Sequence, residues 1–297
     1  MYKNFKLEAV DPHFWDLIDE QVVPIPISVN HKVTEGIIWW PQEKCLIFSD
    51  MGTGQLFKWI PETFETICIK YPSNINNGNA IDKEGRIVSC EHATSSITRM
   101  EKDGRYMKTL ASHYKGKELN SPNDVIVDTA DRIWFSDPTY GRGNGPAGLP
   151  RDTELGFQGV YCIKPDGTLI LANKDFEQPN GLCMEIGEKT MLVNDTPRQE
   201  IRRFKVEDDC TLSGGEVICK VDGRPDGTKI DEAGNIWTTA SGNMQVFNRN
   251  GKLLGNITAP GQCRNFCFGG ENNDQLYMAC ECIYQVPLKI KGVDYTK

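Results

Sequence analysis

Six polar residues stand at the heads of six similar segments, and each carries a side-chain oxygen: Glu35, Asn79, Asn123, Asn180, Asp226 and Asn265. Carboxylate and carboxamide oxygens are the ligands that hard divalent cations prefer. Glu35 and Asp226 would neutralise such an ion, Asn180 and Asn123 would add neutral carbonyl oxygens, and water and substrate would take the remaining positions. Histidine is scarce, at His13, His31, His92 and His113 only, and neither H-E-x-x-H nor G-x-S-x-G occurs. An imidazole–thiolate zinc centre and a serine nucleophile therefore find no support. A single Asn or Asp before a strand commonly caps its own turn. Several acids crowded into one narrow channel are a different case, because they repel unless protonated or bound to a cation.

The segments behind these heads share one grammar. The clearest copy, N-S-P-N-D-V-I-V-D-T-A-D-R-I-W-F-S-D-P-T-Y-G from Asn120 to Gly141, is a polar pair, a short apolar run, a tight turn and a second apolar run ending in Ser-Asp. Alternating β-branched and aromatic residues bounded by Asp, Pro and Gly predict a hairpin. Successive heads are separated by 44, 44, 57, 46 and 39 residues. A recurrence of roughly 40–50 residues with about four strands per copy predicts an all-β fold, a six-bladed β-propeller of four antiparallel strands per blade. The long interval comes from an insertion in blade 3, residues 139–158, rich in glycine. Blade 6 is one strand short, and Gln21 to Val29 is a spare strand whose Pro24 and Pro26 suit an edge. It is expected to close the ring, leaving no unpaired edge. One domain over 1–297 is expected, with 1–19 as an extension outside the repeat.

The net charge of −8 and the absence of a basic cluster argue against nucleic acid and favour cations in an acidic channel. The cysteines number 11, an odd count, and mostly fall at apolar strand positions such as Cys45, Cys68, Cys90, Cys162, Cys183 and Cys267. They are expected to be reduced, buried small hydrophobes. No apolar leader opens the sequence and no run reaches membrane-spanning length, so a cytoplasmic protein without membrane partners is expected. The six tryptophans fall mainly on strands, as packing between blades would require.

The stretches E-G-I-I-W-W-P, S-N-I-N-N-G-N, G-R-I-V-S-C-E-H, L-N-S-P-N-D-V-I-V, I-W-F-S-D-P-T-Y-G, Q-P-N-G-L and R-P-D-G-T-K-I-D resemble, in order, the gluconolactonase or senescence-marker/regucalcin family. The resemblance implies a six-bladed propeller with one divalent metal held by Glu35, Asn180 and Asp226, and Asn123 as a further ligand or substrate contact. Calcium is expected before magnesium, zinc, manganese or iron. The expected activity is hydrolysis of a small-molecule sugar lactone, with the cation polarising the carbonyl and Asp226 as general base. Asn79, His92 and Tyr140 are candidate substrate contacts, the last on an insertion able to form a lid. Members that work on sugar lactones carry an arginine two residues before the Asn123 position; here Ser121 is the corresponding substrate-facing residue. A phosphotriesterase or arylesterase on the same metal, and a non-enzymatic calcium-binding scaffold, are the alternatives.

Overall fold

The computed structural model describes residues 4–293, and six antiparallel sheets form its blades. Each blade starts with its innermost strand: Thr34–Trp40, Asn76–Ile81, Val125–Val127, Pro179–Met184, Pro225–Ile230 and Asn265–Gly269. Two carboxylate devices recur among the blades. In the turn after the first strand, Asp128 accepts the backbone N–H groups of Ala130 and Arg132, each at 2.9 Å, and the Trp134 indole at 2.9 Å. Asp231 repeats this with Ala233, Asn235 and Trp237 at 3.0, 2.9 and 2.9 Å, and Asp82 with Glu84 and Arg86 at 3.0 and 2.9 Å. Such Asx closures supply the turn with a bonded geometry that the backbone alone lacks.

The second device lies at the end of the second strand. Asp50 accepts Lys32 N and Val33 N at 3.1 and 3.0 Å, Asp137 accepts Asn120 N and Ser121 N at 2.9 Å each, and Asp195 accepts Glu177 N and Gln178 N at 2.9 and 3.0 Å. Each clamp fixes the two residues that stand three and two positions before Glu35, Asn123 and Asn180. In blade 5 the clamp is Ser241 Oγ on Arg224 N at 2.9 Å, and in blade 6 Glu281 on Gln262 N at 3.1 Å. The recurring Ser-Asp at strand ends is thus what aims the site residues.

The ring closes as expected: Ile25–Ser28 pairs with Ile283–Pro287 and supplies the fourth strand of blade 6. Residues 6–16 of the expected extension are tied to blade 5. Lys6–Ala9 pairs antiparallel with Leu253–Thr258 as a fifth, outer strand of blade 5, and Pro12–Asp16 forms a 3-10 turn carrying buried Phe14. Its ring seals against Gly255, whose Cβ would clash with it at 2.5 Å. Apolar layers lie between neighbouring blades, as where Trp134 of blade 3 meets Leu182, Met191 and Phe204 of blade 4. Truncating a fully buried tryptophan such as Trp134 would cost roughly 3–5 kcal/mol. Most of the cysteines are buried, but Cys68, expected inside, is exposed on an outer strand. Among the described residues, no helix is long and apolar enough to cross a membrane.

Candidate active site

At one mouth of the channel a cavity of about 360 Å³ takes one residue from the head of each blade: Glu35, Asn77, Asn123, Asn180, Asp226 and Arg264. Strand register aligns the heads of blades 2, 4 and 5, and the bonds from Gly78 N to Asn123 O at 2.8 Å and from Gly227 N to Arg264 O at 3.0 Å match those of blades 3 and 6. In blade 5, Pro225 pairs Ala240 and a bulge follows before Thr228 pairs Thr238. In blade 2, Asn76 pairs Glu91 and a bulge follows before Asn79 pairs Ser89. Asn77 therefore matches Asp226, and Asn79 matches Thr228. The bulge turns the head residue out of the ladder and into the cavity. A glycine follows the head in four blades, where the next blade crowds in: a Cβ on Gly36 would sit 1.9 Å from Asn77 O, and one on Gly181 2.1 Å from Asp226 O.

Two sequence-based heads are corrected by this register. Asn79 does not line the cavity; its amide donates to Gly36 O at 2.8 Å and Ser49 Oγ at 2.9 Å, and its oxygen accepts from Asn76 Nδ2 at 2.9 Å and Ser89 Oγ at 2.7 Å. It is a buried knot between blades 1 and 2. Asn265 likewise lies one residue past the true head, Arg264, so the ring holds five oxygen-bearing side chains and one guanidinium. The signal was available for Asn77, since E-G, N-G, N-G and D-G recur at 35–36, 77–78, 180–181 and 226–227. Blade 6 has no such glycine, and R-N-F offered no marker. Ser121 also stays out of the cavity, its Oγ donating to Pro138 O at 2.6 Å and accepting Gly141 N at 3.0 Å beneath the insertion.

Glu35, Asn123, Asn180, Asp226, His92 and Tyr140 do come together there. Glu35 Oε2 accepts Gly36 N and Asn265 Nδ2, each at 3.1 Å. Burial first, then the charges of Asp226 and Asp124, push the Glu35 carboxyl well above the usual range. Burial and Asp124 push Asp226 up to about 7, against the opposing pull of Arg264, Asn180 and Lys229. Asn180 Oδ1 is buried with no hydrogen-bond partner among the described residues, an arrangement that costs free energy unless something outside the protein engages it. No three His, Cys, Asp or Glu side chains converge as a metal cluster among the described residues; the donors here are two carboxylates and carboxamide oxygens. Two acids facing one cavity beside an orphaned amide oxygen fit a hard divalent cation.

His92 ends the second strand of blade 2. Its Nδ1 faces the carbonyl oxygen of Ala147 at 2.8 Å, so this nitrogen carries the hydrogen, and Nε2 accepts from Asn77 Nδ2 at 3.1 Å. Burial holds the imidazole down at about 4, hence neutral at pH 7. The insertion is anchored by buried Arg142, which donates to Asn120 O at 2.7 Å and pairs with Glu118 at 2.8 Å. Burial raises the Tyr140 phenol against the pull of Thr196 and Arg224, and its oxygen makes no closed hydrogen bond among the described residues. At the other mouth a larger cavity, about 1020 Å³, is lined by Asp124 and Lys229, whose charged atoms lie 3.6 Å apart.

Fold and ring together define the class: a six-bladed propeller whose polar site sits on the channel axis, built from the head of every blade. Within that class the chain belongs to the SMP-30/Gluconolactonase/LRE-like family, whose model matches residues 33–281. It is similar to a gluconolactonase of Zymomonas mobilis, 26% identical with 97% of this chain and 87% of the relative covered. A pentonolactonase of Haloferax volcanii is 24% identical over 85% of this chain and 82% of its own. Among solved structures, a gluconolactonase of Xanthomonas campestris superposes with a TM-score of 0.89 at 32% identity, covering 95% of each chain.

Proposed function

We propose that this lactonase-family chain opens the ring of a sugar lactone by hydrolysis, using a divalent cation, calcium first, held by Glu35, Asn180 and Asp226 with Asn123 beside them. The lactonase class rests on family membership and on relatives named gluconolactonase and pentonolactonase. One observation carries the site reading: two desolvated carboxyls and an unpartnered amide oxygen face a single small cavity. When bound, the cation would polarise the ring carbonyl as a Lewis acid.

The protein's own groups do the rest. Asp226 takes the proton from the attacking water through the carboxylate oxygen that does not face the cation. Glu35, tied by Gly36 N and Asn265 Nδ2, is held in place as the second carboxyl facing the ion. Arg264 stands at the same ring and offsets the charge that develops beside Asp226. Neutral His92 orients Asn77 toward the substrate and holds the insertion through Ala147, so that loop excludes water from the blade 2 side. Tyr140 closes the same rim.

The test is a pH-stat assay of aldonolactones beside a phosphotriester and an aryl ester, with and without exhaustive chelation. Turnover of lactones that stops on chelation and returns with calcium is expected. Preference for the phosphotriester or aryl ester would overturn the lactone assignment.

A further inference from the structure

The cavity wall formed by blades 4 to 6 carries two guanidiniums, Arg224 and Arg264, together with Thr196, Ser241 and Gln262. Opposite, blades 1 and 2 and the insertion present Val33, Met51, Asn77 and Ala147. Elsewhere in the fold, arginines that hold structure meet a carboxylate closely: Arg86–Asp82 at 2.7 Å, Arg132–Asp128 at 2.6 Å, Arg142–Glu118 at 2.8 Å and Arg203–Glu185 at 2.7 Å. The cavity pair differs. Arg264 reaches its nearest carboxylate, the half-exposed Glu281, only at 4.0 Å. Arg224 has no carboxylate within ion-pair distance among the described residues; its neighbour is the Tyr140 phenol.

The charges do not balance for a neutral substrate. Glu35 and Asp226 cancel a divalent cation, which leaves two guanidiniums uncompensated in the mouth of a chain whose net charge is −8. Hydrolysis of any lactone creates a carboxylate at the former carbonyl, but that charge forms beside Asp226, where Arg264 acts. Arg224 lines the same cavity beside Tyr140, and its backbone N–H donates to Ser241 Oγ at 2.9 Å. An unpaired guanidinium at the cavity mouth suits bidentate binding of a second anionic group.

Resting on the lactonase reading above, we infer that the preferred substrate is an acidic lactone, one bearing a carboxylate or phosphate ester remote from the ring carbonyl, and that Arg224 selects it. The acidic group docks on Arg224 beside Tyr140 and Thr196, while the ring carbonyl faces Asp226.

The experiment compares kcat/KM for neutral D-glucono-1,5-lactone with that for its 6-phosphate and for D-glucaro-1,4-lactone. The phosphate and carboxylate arms separate the two kinds of acid. The expected wild-type ratio of acidic over neutral lactone is about 10 or more, because a charge-assisted contact supplies that much discrimination. Arg224→Gln should lower the ratio by about 10-fold, chiefly through KM, and Arg224→Lys should recover part of it by restoring a point charge. Thermal melts of both variants check that the fold persists. Efficient turnover of the neutral lactone with a ratio at or below one, or a ratio unmoved in Arg224→Gln, overturns the acidic-substrate inference and leaves the lactonase reading standing. Failure to open any lactone removes both.

Discussion

His92 joins two parts of the molecule with its two ring nitrogens: Nε2 accepts from Asn77 of the central ring at 3.1 Å, and Nδ1 binds Ala147 of the insertion at 2.8 Å. The carbonyl on one side dictates the tautomer, and the tautomer dictates which end of the Asn77 amide faces the cavity. Replacing the ring with one of similar shape and no polar atoms, His92→Phe, leaves both partners unpaired. It should cost about 1–3 kcal/mol, lowering the melting temperature and accelerating proteolytic cleavage within 143–150. Unchanged melting and unchanged cleavage would show that this tie carries no weight.

Asp226→Asn keeps the shape of the side chain and removes its basicity. Turnover should fall by about 10²–10⁴-fold, while circular dichroism stays that of the parent. Activity within a fewfold of wild type would remove Asp226 from the base role.

Glu35→Gln tests the cation separately from the chemistry. Calorimetric titration with calcium should show at least about 10-fold weaker binding than the parent, since one of two neutralising charges is gone. Heats that match the parent would place the ion, if any, elsewhere.

The raised carboxyls also set a pH dependence. Asp226 is pushed up to about 7 from an ordinary value of 3.8, and Glu35 is raised too. Between about pH 4 and 7 the folded, cation-free protein therefore binds more protons than the unfolded chain, and its stability falls as pH rises through that window. Melting of chelated protein should drop by several degrees from pH 5 to pH 7.5, and calcium should reverse the loss most strongly at the higher pH. The same protons compete with the ion, so calcium affinity should weaken as pH falls below about 7. A flat melting profile with chelator would contradict the raised proton affinity of these acids.

Asn77 and Asn79 are two residues apart and have opposite work. Asn77→Ala should raise KM with a modest loss of stability, because its side chain faces the cavity. Asn79→Ala removes the group that satisfies Gly36 O, Ser49 Oγ, Asn76 Nδ2 and Ser89 Oγ. It should cost about 2–4 kcal/mol with KM little changed. Purified variants with the reverse pattern would undo the register assignment.

How far the sequence reaches is clear from particular residues. Period-two apolar runs, Asp-led turns and a recurrence near 45 residues are local properties of the chain, so the propeller, its blade order and a closing strand within Gln21 to Val29, observed as Ile25–Ser28, are legible in the sequence. Glu35, Asn123, Asn180 and Asp226 were legible for the same reason, each sitting at a repeated place in the pattern. What the pattern could not resolve was a shift of one or two residues at a bulge. Alternation assigns Asn79 to the head as readily as Asn77, and Asn265 as readily as Arg264; only the pairing within blade 2 and the contact of Arg264 O with Gly227 N of blade 5 decide which side chain faces the cavity. Arg224 and the Ala147–His92–Asn77 tie join residues far apart in sequence, and nothing local to any of them encodes the meeting. The chain alone determined a ring with acids at its centre; the folded ring decided that a guanidinium completes it, because cavity lining depends on register between strands and not on residue type.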